Sequence, residues 1–272
     1  MSGDVTWAGL VVSLLLVAVA VAVSLAIGLR LERALAWATA RAVVQLLLVG
    51  WGLALVIDPA RPLLWSWLWV AAMTAYAGVV ARRRAPEVPR VLPLATAAFA
   101  ASALVTLGIL FGLRVFPLEG RTLVPVAGLM VGNAMNATVL AGRRIVEQLR
   151  DQRAEVEARL ALGQPSSRAA RPYLVAAVRT ALIPQIETTR AVGLVFLPGA
   201  MTGLILAGVD PVDAVLVQAV VMFVVLASVA TTTTVVGLGL VRRLFTADHR
   251  LLPLPRPAEP AARYGTRTAA PS

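Results

Sequence analysis

The sequence predicts an all-α integral membrane protein of about seven transmembrane helices, on three observations. Apolar residues make up 59% of the 272 and charged residues only 14%, against about 25% charged in an ordinary soluble domain. The chain divides into seven apolar stretches, each close to the roughly 20 residues a helix needs to cross a bilayer. The basic residues gather in alternate joints between those stretches.

The expected spans are 5–29, 35–57, 63–81, 91–112, 122–142, 191–209 and 213–240. The first follows Asp4, has no basic segment ahead of it and is too long for a signal-peptide core, so a retained helix is expected. Arg30 and Arg33 fall in the first joint, Arg82, Arg83, Arg84 and Arg90 in the third, nine arginines from Arg143 to Arg190 in the fifth, and six from Arg242 to Arg267 in the tail. The even joints hold only Arg61, Arg114 and Arg121, a division of 21 against 3, with Arg41 inside the second stretch. The positive-inside rule then sets the amino terminus outside and the carboxyl terminus in the cytoplasm, as in a multi-pass inner-membrane protein.

Residues 1–245 are expected to form one permease domain in the lipid bilayer. The long joint, 143–190, is expected to be cytoplasmic and helical. One helix covers 145–162, Gly163, Gln164 and Pro165 break it, and a second runs from about Arg168 to Ile183, ending near Pro184. A tail at 246–272, proline-rich from Leu252 onward, is expected to be disordered.

Composition excludes several functions. All 25 basic residues are arginine, for a net charge of +11. They sit in joints and not on one face of a folded domain, which argues against nucleic acid. There is no cysteine, and the single histidine is His249 in the tail. Disulfides, thiol chemistry and His/Cys metal cages are therefore ruled out, and no metal site or cofactor is expected. A Walker loop needs a lysine, and the chain has none. The expectation is a transport subunit that is not an enzyme, with ATP hydrolysed by a partner chain docked on 143–190. The alternative is a stand-alone secondary transporter or channel for a small solute. Ion coupling normally uses an intramembrane carboxylate, and Asp58, Glu119, Asp210 and Asp213 fall at span edges. A lipid-modifying enzyme lacks a visible His/Asp or paired-carboxylate cluster.

Within the fifth stretch, Gly128, Gly132 and Asn136 follow at steps of four, with Asn133 beside them. Glycines so spaced let a partner helix approach. An asparagine in hydrocarbon must bond across an interface or line a wet cavity. The sixth stretch carries Pro198, Gly199 and Gly203, where proline removes a backbone donor and should kink or break the helix. Gly108 and Gly112 in the fourth are expected to serve packing, and Thr231 to Thr234 to bond their own preceding carbonyls. Arg41 and Gln45 lie one turn apart in the second stretch, where Arg41 can snorkel to the interface. Glu157, Ala158 and Gly163, spaced E-A-x4-G before an amphipathic run, are similar to the coupling loop of ABC permeases; a glycine-capped amphipathic helix is the plainer reading.

The runs 40–46 (ARAVVQL), 132–137 (GNAMNA), 160–163 (LALG), 181–184 (ALIP) and 192–208 (VGLVFLPGAMTGLILAG) together resemble the FetB-type permeases and the plant aluminium-tolerance relatives. The likeness extends in order from about residue 35 to 225. Alanine stands at 200 where that family carries a bulkier methionine. The resemblance implies a permease that pairs with a separate ABC ATP-binding subunit, as two copies of each, to form an exporter. In bacteria that exporter is linked to iron efflux, and in the plant relatives the proposed cargo is a nucleotide sugar. Path-lining is expected of Asn133, Asn136, Met130, Met201, Thr202 and Gln45, helix packing or hinging of Gly128, Gly132, Pro198, Gly199 and Gly203, and ATPase coupling of Glu157, Ala158, Gly163, Arg168 and Pro184. Against bare iron, no span offers a histidine, cysteine or acid at mid-depth, and hard cations want carboxylate oxygens.

Overall fold

A computed structural model describes residues 7–29, 31–58 and 61–254, the side chains of Trp7, Ala8 and Leu10 excepted. The regular secondary structure of these residues is helical, apart from two isolated backbone bridges, Val192 with Phe196 and Phe245 with Leu251. The helices are α1 (Trp7–Ile27), α2 (Glu32–Val56), α3 (Leu64–Arg84), α4 (Val91–Gly112), α5 (Gly120–Asp151), α6 (Arg153–Ala161), α7 (Ser166–Ala191), α8 (Gly199–Leu206) and α9 (Pro211–Leu244). Helices α2, α3, α4, α5 and α9 are long and apolar enough to cross a membrane, and α1 adds a shorter apolar helix. The expected residues 5 and 6 of the first span, Arg30, and the tail from residue 255 lie outside the described residues.

The chain separates into two compact units, 1–61 and 62–272. In the first, α1 and α2 form a hairpin. Gly28 takes the left-handed turn at φ +71°, which a residue with a Cβ adopts at a cost. Ser24, buried, donates to Glu32 Oε1 at 2.9 Å and accepts from the Leu31 amide at 3.2 Å, closing the turn. Arg41 and Gln45 are both exposed on α2.

In the second unit α5 packs on α9, α3, α7 and α4. Leu123, Ala127, Met130, Ala134, Ala137, Ala141, Ile145 and Leu149 are buried along it, a stripe at steps of three and four that follows the helical period. Alternating large and small residues suit a membrane interior, where helices associate by close packing and not by escape from water. At other crossings the small residue is glycine. A Cβ at Gly237 of α9 would lie 2.8 Å from Leu174 and 3.3 Å from Val178 of α7, and one at Gly239 would lie 2.7 Å from Leu94 of α4. Gly108 and Gly112, expected to pack, face open space among the described residues. Halfway along α4, Ser102 shares a buried 3.0 Å hydrogen bond with Ser228 of α9. Ser102→Ala alone strands the Ser228 hydroxyl and should cost about 1 kcal/mol, whereas Ser102→Ala with Ser228→Ala should recover most of it. Unfolding of the two variants beside wild type in detergent measures both.

Three expectations are corrected here. The fifth stretch does not end at 142: α5 runs unbroken to Asp151, because Arg143 and Arg144 change the solvent a helix prefers without interrupting its hydrogen bonds. The second loop helix does not end at Pro184. Helix α7 continues to Ala191, with the Thr188 hydroxyl donating to the Pro184 carbonyl at 2.8 Å and Thr189 to Gln185 at 2.8 Å. The sixth stretch, 191–209, is consequently no single helix. Residues 192–198 break it, with Gly193 at φ +84°, and Pro198 caps the eight-residue α8. At 1.5 Å per residue α8 is about 12 Å long, well short of a bilayer core of about 30 Å. Helices α7 and α8 both pack on α9.

Two smaller differences follow. Thr232 and Thr233 are buried without a hydrogen-bond partner, so they do not return to their own helix as expected. Residues 245–252, expected in part as disordered tail, fold back in a turn. The Thr246 amide bonds the Arg250 carbonyl at 2.9 Å and the Leu252 amide the Leu244 carbonyl at 2.9 Å, while Phe245 and Leu251 are buried in the core.

Candidate functional site

Helix α7 runs antiparallel to α9. Near its start Ser166 meets His249, just past the end of α9, Leu174 and Val178 sit over Gly237, and its last turns reach the level of Val229. There α5, α7 and α9 line an open-sided cavity of about 250 Å³. Asn133, Asn136, Ala137 and Leu140 line it from α5, Ala181, Pro184, Gln185 and Thr188 from α7, and Val229 from α9. Residues 181, 184, 185 and 188 share one helix face by their spacing of three and four.

The polar groups are already oriented. Asn133 donates through Nδ2 to the Leu129 carbonyl at 2.7 Å, which leaves its Oδ1 to accept. Asn136 accepts through Oδ1 from Arg84 Nη1, at the end of α3, at 2.8 Å. A guanidinium can only donate, so the Asn136 Nδ2 remains a free donor. The Thr188 proton goes to Pro184, leaving an acceptor oxygen. No acid lines the cavity, and no cluster of three or more His, Cys, Asp or Glu able to hold a metal occurs among the described residues.

The other path candidates lie elsewhere. Met130 is fully buried in the core, Met201 is buried on α8, Thr202 is exposed and bonds the Pro198 carbonyl at 3.1 Å, and Gln45 belongs to the first unit. Of the glycines, Gly128 sits against Met73, whose terminal methyl a Cβ would approach to 2.9 Å, while Gly132, Gly199 and Gly203 face open space. Gln185 and Thr188 were not singled out in the sequence, because Pro184 marked the end of a loop helix and everything near it as outside the membrane.

The coupling candidates divide too. Gly163, at φ +81°, ends α6: its amide bonds the Leu160 carbonyl at 2.9 Å and the Gln164 amide bonds Arg159 at 3.1 Å. This is the paired closure of a Schellman turn, which favours glycine at that position. Pro165, extended, then caps α7. On α6, Glu157 pairs with Arg153 at 2.7 Å and Glu155 with Arg159 at 2.6 Å, and Arg159 stands 5.9 Å over the Tyr173 ring of α7. The Arg159 guanidinium holds the Glu155 carboxyl below its usual range, and burial pushes Tyr173 up. Ala158, Leu162 and Arg168 are exposed beside this turn. Pro184, grouped with them in the sequence, is on the cavity wall instead.

The profile of the Uncharacterised protein family UPF0014 matches residues 7–245. The UPF0014 membrane protein STAR2 of Oryza sativa subsp. japonica is 39% identical over 191 residues, 70% of this chain and 67% of that protein. The Probable iron export permease protein FetB of Escherichia coli (strain K12) is 30% identical over 256 residues, 92% of this chain and 96% of that protein. Protein ALUMINUM SENSITIVE 3 of Arabidopsis thaliana is 33% identical over 193 residues, 70% of each chain. No solved structure matches.

Proposed function

From the membership of this chain in the UPF0014 family of membrane proteins, we propose that it is the permease subunit of an ABC-type exporter in the inner membrane. Two copies would work with two copies of a separate ATP-binding subunit, and the name of the Escherichia coli relative points to iron or another metal as cargo. The topology of this reading is seven crossings with the amino terminus outside. The sixth is discontinuous, made of the second half of α7, the 192–198 break and α8. Broken helices of this kind lie in protein or against water, and in many transporters they mark the substrate path.

One observation carries the reading: a single helix, α7, connects the Gly163 turn to the Asn133/Asn136 cavity. At 26 residues it is about 39 Å long. A partner that grips the exposed Glu157–Leu162 surface and moves it therefore moves the cavity wall. The four-helix contact of α3, α4, α5 and α9 supplies the frame against which α7 shifts.

The test is recovery of a Walker-containing ATPase with the tagged full chain from its native membrane. Glu157→Arg with Gly163→Pro should abolish recovery while the chain stays in the membrane at the wild-type level. Failure of wild type to retain any ATPase, together with gradient-driven flux by the chain alone in liposomes, would establish the stand-alone transporter instead.

A further inference from the structure

We propose that the Asn133/Asn136 cavity binds its cargo as a small hydroxyl-bearing oxyanion, a hydroxycarboxylate or its metal chelate, with Arg84 as the group that selects the charge. The inference deepens the transport reading, on which it rests for the cavity being the path.

The cavity's free hydrogen-bonding groups select its ligand. Asn136 Nδ2 and Gln185 Nε2 donate, Asn133 Oδ1, Gln185 Oε1 and the Thr188 oxygen accept, and Arg84, fixed to Asn136 at 2.8 Å, supplies the formal charge. Donors backed by a guanidinium suit a carboxylate or phosphate oxygen, and acceptors beside them suit hydroxyl groups. A bare divalent cation finds only three neutral side-chain oxygens, Asn133 Oδ1, Gln185 Oε1 and Thr188 Oγ1, beside a positive charge and no carboxylate, where hard cations favour several oxygens with carboxylates among them. The volume, about 250 Å³, falls below the roughly 300–1,000 Å³ of sites for drug-sized ligands and fits a small solute. Arg82 and Arg83 are exposed next to Arg84, so the local field gathers anions at this mouth.

The test is calorimetric titration of the full chain, with its ATPase where one is recovered, in nanodiscs of zwitterionic lipid. The probes are citrate, ferric citrate, ferrous ion alone and sorbitol. The expected result is binding of citrate and ferric citrate, with Arg84→Gln weakening both at least tenfold. Asn136→Asp, nearly isosteric, should abolish them by pairing with Arg84 and adding a negative charge. Citrate binding unchanged in Arg84→Gln, ferrous ion binding to wild type, or sorbitol binding as well as citrate would each overturn the proposal. So would loss of citrate binding when anionic lipid replaces the zwitterionic lipid, since Arg84 would then serve a headgroup. The ATPase co-purification reads none of these outcomes, so the two proposals fail separately.

Discussion

Gly78→Val is expected to destabilise the second unit more than any other single glycine replacement. A Cβ at Gly78 runs into the Thr96 side chain of α4, with Thr96 Cβ at 3.1 Å and the Leu92 carbonyl at 3.6 Å. Threonine is branched at Cβ and stiff at χ1, so it has little room to turn away, and the backbone behind it is a packed helix. Overpacking of this kind costs about 1–3 kcal/mol, and valine at a backbone crossing belongs at the upper end. Thermal unfolding of the purified chain measures the loss. Gly108→Val, which meets no atom within 4 Å, serves as the control and should melt near wild type. Thr96→Ala combined with Gly78→Ala should restore much of what Gly78→Ala alone loses, a coupling that only direct contact produces. A Gly78→Val chain that melts with wild type would mean that α3 and α4 do not cross there.

The second large effect is on transport. Asn133→Leu with Gln185→Leu replaces one amide on α5 and one on α7 by side chains of similar size, removing hydrogen-bonding groups from both walls. Sites built from such groups discriminate strongly against partners they cannot bond, and the loss should be on the order of 100-fold. Fold and ATPase recovery should not change, because neither side chain is buried in the packed stripe of α5. Uptake of labelled ferric citrate into inside-out vesicles carrying the chain and its ATPase reads the effect. Transport at the wild-type rate would place the path elsewhere.

These two predictions rest on parts of the molecule that the sequence disclosed unequally. Helices α2, α3, α4 and α9 follow the expected spans to within a few residues, because each is a long apolar run bounded by charge or proline. Asn133 and Asn136 stood out for the same reason in reverse, as amides in an apolar run. Helix α7 was legible only in part: a helix from about Arg168 to Ile183 was expected, but as a loop helix that ended near Pro184, and not its run to Ala191. Its Arg171, Arg179, Glu187 and Arg190 are exposed, and Pro172 and Pro184 lie inside it. A hydropathy window scores such a segment as a water-bound loop. What the window misses is one face, Ala170, Tyr173, Ala177 and Ala181, buried against α5 and α9. Small residues on one face allow close packing in spite of a polar remainder, and Gln185 and Thr188 went unnoticed with the turns beyond Pro184. The residues of the Gly163 turn were visible because left-handed glycine followed by proline is a local signal. Their connection to the cavity was not, since it depends on a helix continuing through a proline.

The turn after α9 has a consequence for how the chain is made. Ser166, the first residue of α7, bonds through its amide to His249 Nδ1 at 3.3 Å, 83 residues later, and Arg153 reaches the Leu251 carbonyl at 3.3 Å, 98 residues later. Synthesis proceeds from the amino terminus, so α6 and the start of α7 emerge well before the groups that fasten them. Their packing on α5 and on each other can form early, but these two bonds wait until the turn after α9 has left the ribosome. Completion of the surface proposed to dock the ATPase thus becomes a late event, and a ribosome that stops short of Leu251 releases a chain that has helices α1 to α9 but lacks the bond that ties Arg153 to the Leu251 carbonyl.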